Sequence, residues 1–381
     1  MNRADYDNSL ARQARRVNEY AKIVYDKVLP QLKQLPVKEI WDAQKVFISG
    51  CGDSWLAGIA AKPAFESITR IETNVMRAVE FSRILSNKNL GYSPNTPLVI
   101  LISYSGGASR VVECAKRASR YGANTIAITN NPDSPLAKEC RYLIHVGLPE
   151  GDEYQPGLIT YNASMMALFL IALRMGRVRN KITPLEYDDM HKELLDFISK
   201  SQERYEEYEE RAFEIAQKWK DLKAEDFIGD YSDYATAFFG SAKVIETFGG
   251  YTTYDDSEDW CHINYFLADP EKIGRVVITN KEMPSYERML ETIDAIKILK
   301  SPCLIVSDQE KDAFPEGMEV FTTPQAKYFW MNPLVQHIPF DFVAGYIAEL
   351  KGEKGFRADD ERYSSDICKS RLKDGTKIVI V

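Results

Sequence analysis

An unbroken apolar run, Leu98-Val99-Ile100-Leu101-Ile102, stops abruptly at Ser103-Tyr104-Ser105-Gly106-Gly107-Ala108-Ser109. No other segment restricts the fold so tightly. An apolar run without alternation describes a strand buried on both faces, which belongs in a parallel sheet covered by helices. Val111, Val112, Ala115 and Ala118 then recur at helical spacing. The loop between strand and helix gathers hydroxyls, exposed main-chain N–H groups and the positive end of a helix dipole. A phosphate needs that combination of donors. The same serines also suit a plainer task, capping the helix, and Ser109 is a suitable N-cap.

The strand–loop–helix pattern recurs along the chain. Lys45–Ser49 reads as a strand, Gly50-Cys51-Gly52-Asp53-Ser54 as its loop and Trp55 to Ile68 as its helix. Thr125–Thr129 and Tyr142–Val146 are further strands, separated by the turn Asn130-Asn131-Pro132-Asp133-Ser134-Pro135. After an acidic stretch the pattern returns: strand 226–229, helix 235–248, strand 275–279, helix 286–299, strand 302–307. Two copies of one α/β unit are expected. The layout is an N-terminal helix over 1–35, a first domain over 36–183, a linker helix over 184–225, a second domain over 226–350 and a tail over 351–381 that closes the site. Glu203, Glu206, Glu207, Glu209 and Glu210 read as a solvated face of the linker. In the second copy Thr279-Asn280-Lys281-Glu282-Met283-Pro284 replaces the serine–glycine loop, so one anion site per chain is expected.

Composition narrows the function. With 381 residues and 45% hydrophobic content the chain can build two domains with real cores. A net charge of −8 and a pI near 5.3 disfavour a nucleic-acid partner. The six cysteines form no CxxC pair and the four histidines no zinc cluster, so reduced thiols, a cytoplasmic location and no metal are expected. No signal peptide begins at Met1, and no charge-free apolar stretch of about 18 residues implies a membrane span. The glycine loops lack a P-loop lysine, and Gly50-Cys51-Gly52 lacks the third glycine of a dinucleotide fingerprint. No nucleotide or other cofactor is expected. A small sugar phosphate suits these loops better.

Gly50-Cys51-Gly52-Asp53-Ser54, Ser103-x-Ser105-Gly106 and the duplicated α/β unit resemble the sugar isomerase (SIS) superfamily. Within it the chain is similar to the double-SIS phosphosugar isomerases, which include the isomerase half of glucosamine-6-phosphate synthase and the fructosamine-6-phosphate deglycases. The resemblance covers about residues 35 to 370. It implies an α/β fold of two tandem SIS-type sandwich domains, each with a parallel five-stranded sheet. It also implies roles for particular residues. Ser54, Ser103, Tyr104, Ser105 and Ser109 would hold the phosphate, and Gly52, Asp53 and Thr160 would form the substrate loop. In the second copy Ala242-Lys243-Val244-Ile245-Glu246 is similar to the family's Leu-Lys-x-x-Glu segment, and His262 follows Glu246 at the family's spacing. Glu246 would then move a proton between C1 and C2 of an open-chain sugar. His262 would open the ring, reaching the site from the neighbouring subunit of a homodimer. Lys243 would hold sugar hydroxyls or a developing oxyanion.

The chain departs from the family's pattern at several positions. Ile263-Asn264 follows His262 in place of Gly-Pro, Ala108 stands where a Thr is expected, Gly107 replaces an acidic residue, and Gly229-Asp230-Tyr231 replaces Gly-Arg-Gly. Arg362, Tyr363 and Lys369 lie where the family carries a C-terminal lysine loop. The residues have plainer readings too. Lys243 and Glu246 form an ordinary i,i+3 ion pair, His262 reads as a surface histidine, and Trp260 and Tyr265 as interface aromatics.

The expected activity is a metal-free phosphosugar isomerase or aminase acting on a hexose or amino-sugar 6-phosphate. The alternatives are a deglycase releasing an amine from a 6-phosphorylated Amadori sugar, and a sugar-phosphate binder without turnover. Met1-Asn2 supplies no nucleophilic cysteine and the first strand begins at Lys45, so no amide-hydrolysing domain is expected. The partners expected are a sugar phosphate and a second copy of the chain, with no nucleic acid and no membrane.

Overall fold

The computed structural model describes residues 2–91, 96–353, 355–363 and 377–381. Helix α1 (Ser9–Val28) buries Leu10, Ala14, Val17, Ala21, Val24 and Val28 along one stripe. The single helix expected over 1–35 is shorter, flanked by 3-10 turns at Arg3–Asp5 and Leu29–Gln34, with Pro30 opening the second. There follow α2 (Val37–Asp42), β1 (Lys45–Gly50), α3 (Asp53–Thr69), β2 (Glu72–Arg77), β3 (Leu98–Ile102), α4 (Ser109–Arg120), β4 (Asn124–Thr129), α5 (Pro135–Glu139), β5 (Tyr142–His145), α6 (Leu158–Val178) and α7 (Pro184–Gln202).

The first sheet is parallel with strand order β2-β1-β3-β4-β5. Every residue of β3 and β4 is buried, as their apolar runs require. Sequence reading missed β2, an edge strand whose Glu72-Thr73-Asn74 start gives no apolar run. It also missed α6, which is long and apolar enough to cross a membrane. With 89% of its most apolar window buried inside the protein, and Arg174 and Arg177 near its end, α6 reads as a core helix.

The chain continues with α8 (Tyr205–Trp219), β6 (Ala224–Gly229), α9 (Ser232–Phe248), β7 (Tyr251–Asp255), α10 (Ser257–His262), β8 (Ile273–Thr279), α11 (Tyr286–Leu299), β9 (Cys303–Ser307), β10 (Glu319–Thr322), α12 (Pro333–Gln336) and α13 (Ile338–Leu350). The second sheet is also parallel and five-stranded, ordered β10-β9-β8-β6-β7. It repeats the first order strand for strand.

The fold divides into a first-sheet unit (Glu19–Asp152, Ile159–Lys192, Arg362–Val381) and a second-sheet unit (Met1–Asn18, Glu153–Leu158, Glu193–Glu361). The stretch 184–225, expected as one linker helix, is two helices, and α8 packs on α13 within the second-sheet unit. Its acidic face is not wholly solvated. Glu209 has a side chain only 5% exposed, bonded by Arg3 at 2.9 Å, by Arg15 and by the Tyr346 hydroxyl at 2.5 Å. A carboxylate so buried needs such partners, and a run of glutamates gives no sign of which one is buried. Of the tail, residues 364–376, including Cys368 and Lys369, lie outside the described residues. Residues 377–381 lie along α4, where the Val379 N–H donates to Glu113 at 2.8 Å and Arg117 to the Val381 oxygen at 3.0 Å.

Candidate functional site

In a doubly wound sheet, ligands gather where neighbouring strands lead off in opposite directions, at their carboxyl ends. In the first sheet that switch point lies between β1 and β3. The loops leaving these strands are Gly50–Ser54 and Ser103–Ser109, the two that the sequence singles out. Gly50 lets α3 start directly above the strand, since a Cβ there would meet the Ser54 Cβ at 2.8 Å. Gly106 holds φ at +64°, and a Cβ there would meet the Ser134 hydroxyl at 2.0 Å. Glycine is therefore required twice over at position 106.

The N-termini of both helices face this crevice. Gly52 is the N-cap of α3 and Ala108 that of α4, and neither side chain can cap. Ser109 is the first residue of α4 and does not cap it, because Ala108 already adopts the extended cap conformation. A helix N-terminus without a side-chain cap suits an anion. Ser105 is exposed, Ser54 half-buried, and Ser103 and Ser109 buried. Tyr104 turns its hydroxyl toward Asn130, whose amide donates to it at 3.3 Å. Asp53 opens α3, and Thr160 lies in the first turn of α6 and not on a loop. Arg77, at the end of β2 beside Gly50, escaped sequence reading along with its strand. Its guanidinium lies 4.4 Å from the Trp55 ring centre at the same end of the sheet.

The second-sheet unit has the same frame with opposite chemistry. Its switch point lies between β6 and β8, and α9 begins above β6 with Asp233 where α3 carries Ser54. Asn280 donates across this crevice to Asp233 at 3.0 Å, and Gln336 donates to the same carboxylate at 3.2 Å. Burial drives the Asp233 carboxyl up to about 7, against the hydrogen bonds that favour its charged form. The carboxylate occupies the place that an anion would need.

Lys243 and Glu246, brought to one face of α9, meet at 2.6 Å. The lysine side chain is 0% and the glutamate 37% exposed. The Lys243 Nζ also donates to the Pro156 carbonyl at 2.5 Å and lies 4.5 Å from the Phe239 ring centre. Behind Phe239 sits His337, edge-on at 5.4 Å, with its Nδ1 2.6 Å from the buried Asp341. Beyond the Lys243–Glu246 pair this row was invisible in the sequence, because Pro156, Phe239 of α9, and His337 with Asp341 come from separate segments that only packing brings together.

His262 ends α10 with its side chain 67% exposed, and its Nε2 lies 3.1 Å from Glu258. That contact is with its own helix and not with the Lys243–Glu246 pair. Trp260, expected as an interface aromatic, is fully buried in the core of the second-sheet unit.

Residues 39–174 match the SIS domain family. Glutamine–fructose-6-phosphate aminotransferase (isomerizing) of Clostridium tetani is 23% identical over 364 residues, covering 91% of this chain and 57% of the relative. The enzyme of the same name from Caldanaerobacter subterraneus is 24% identical, covering 88% and 53%. The chain thus spans about half the length of the curated relatives it matches. Among solved structures, the C-terminal domain of glucosamine-fructose-6-phosphate aminotransferase from Francisella tularensis superimposes with a TM-score of 0.82 at 17% identity, covering 93% of this chain and 99% of that one. Glucosamine-6-phosphate deaminase from Thermotoga maritima gives 0.63 at 16% identity, covering 89% and 96%. The second sheet repeats the strand order of the sheet in the matched region, and two parallel five-stranded α/β units are consistent with two tandem SIS domains.

Proposed function

We propose that the chain is a phosphosugar isomerase acting on a hexose or amino-sugar 6-phosphate. The observation that carries this reading is the contrast between the two switch points. One offers two helix N-termini without a side-chain cap and serine–glycine loops, whereas the other is filled by Asp233. The phosphate binds at Ser54, Ser103, Ser105 and Ser109, with Arg77 as a nearby cation. Glu246 transfers the proton between C1 and C2 through an enediol, a task that suits a positioned carboxylate. Lys243, fixed by Pro156, holds the Glu246 carboxylate in one orientation. His262 opens the sugar ring in a second copy of the chain. Its exposure, with Ile263 62% and Phe266 75% exposed beside it, suits presentation to another subunit.

Exchange of solvent deuterium into fructose 6-phosphate or glucosamine 6-phosphate tests this reading. Glu246→Gln should slow exchange by about 10³-fold while sugar-phosphate binding persists. Exchange at the parental rate in that variant would rule out the proposed proton transfer. Amine release from a fructosamine 6-phosphate, measured alongside, separates isomerase from deglycase.

A further inference from the structure

Asp226 lies in the middle of β6, flanked in register by Thr253 of β7 and Arg275 of β8. Its carboxylate and the Arg275 guanidinium are both completely buried and form an ion pair. The Oδ1 atom also accepts from the Thr253 hydroxyl at 2.5 Å and from the Asn264 amide at 3.0 Å. The Oδ2 atom accepts from the Trp260 indole at 2.6 Å. Trp260 and Asn264 stand two residues either side of His262. One buried carboxylate therefore holds the segment that carries the histidine from both directions. The base of α10 is fixed as well: Asp230 accepts from the Ser257 N–H at 2.7 Å and its hydroxyl at 2.9 Å, and Thr292 donates to the Ser257 carbonyl at 3.0 Å.

A buried ion pair is an expensive way to gain stability, because desolvation offsets most of its Coulomb energy. Its better-supported use is to fix one geometry. We propose that Asp226, supported by Arg275, is a positioning residue for His262. It acts through Trp260 and Asn264 and presents the imidazole rigidly at the surface. This inference rests on the reading of His262 as the ring-opening group.

Two substrates tested on the full-length chain separate positioning from general structure. Fructose 6-phosphate closes to a furanose, whereas 5-deoxyfructose 6-phosphate lacks O5 and stays open. Loss of ring opening therefore spares only the second. Asp226→Asn would strand the Arg275 charge and threaten folding, so Trp260→Phe and Asn264→Ala are the variants of choice. Each is expected to lower kcat on fructose 6-phosphate about tenfold, with turnover of the deoxy ketose within twofold of the parent, as His262→Asn should do more severely. Equal losses on both substrates, or no loss on either while His262→Asn is selectively impaired, overturn the positioning role alone. If His262→Asn spares both substrates, the catalytic reading of His262 fails and the inference falls with it. A parent chain inactive on both ketoses refutes the isomerase reading itself.

Discussion

Asp233 is the residue on which the difference between the two halves turns. Its carboxyl, raised from 3.8 to about 7 by burial, is protonated more readily in the folded chain than in the unfolded one. Its contribution to stability is therefore complete below about pH 3.8 and is lost as pH rises through about 7. A neutral side chain of the same shape escapes that loss. Asp233→Asn should gain on the parent between pH 4.5 and 8, by an amount on the order of 4 kcal/mol at the upper end. Denaturant unfolding at both pH values measures it, and a gap that stays constant with pH contradicts the assignment. Glu225 adds to the same trend, since burial holds its carboxyl at about 8. Glu113 opposes it: burial pushes its carboxyl up, but donors including Arg83, the Val379 amide and Arg110 outweigh this and hold it at about 2.

Among the elements, the turns between β1 and α3 and between β6 and α9 adopt nearly the same conformation. Gly52 has φ 53° and ψ −128°, and Tyr231 has φ 51° and ψ −108°. A tyrosine held there costs about 1–3 kcal/mol of strain, more than the roughly 0.5–1 kcal/mol that a glycine loses in chain entropy. Tyr231 is also 44% exposed. Tyr231→Gly should therefore stabilise the chain by about 1 kcal/mol. A raised urea midpoint with unchanged slope checks this, and a lowered midpoint means that the tyrosine's contacts outweigh the strain. The same comparison marks what the sequence could reveal. Central strands such as β3 and β8 were legible because burial on both faces leaves a continuous apolar run. The edge strands β2, β7 and β10 were not: β2 and β7 are partly exposed and tolerate Glu72 or Thr252, and β10, though mostly buried, offers only Val320-Phe321 between Glu319 and Thr322. The serine loops could be read as local strings. The Asp226 hub and the row from Lys243 to Asp341 could not, because register and packing alone bring their members together.

At the scale of the whole molecule, the proposed function assigns phosphate binding to the serine loops and proton transfer to Glu246. With His262 serving a second copy, activity should require an oligomer. Mixing Glu246→Gln chains with His262→Asn chains, each nearly inactive alone, should restore up to about a quarter of the parental rate per chain through sites that combine two intact contributions. Exchanged hetero-oligomers that show no recovery count against sites built from two subunits. Because the second crevice is already filled by a side chain of its own backbone, duplication has given this chain a cradle that needs no guest. On the proposed reading, half of the repeated architecture is thereby released from holding substrate and left free to carry the reacting groups.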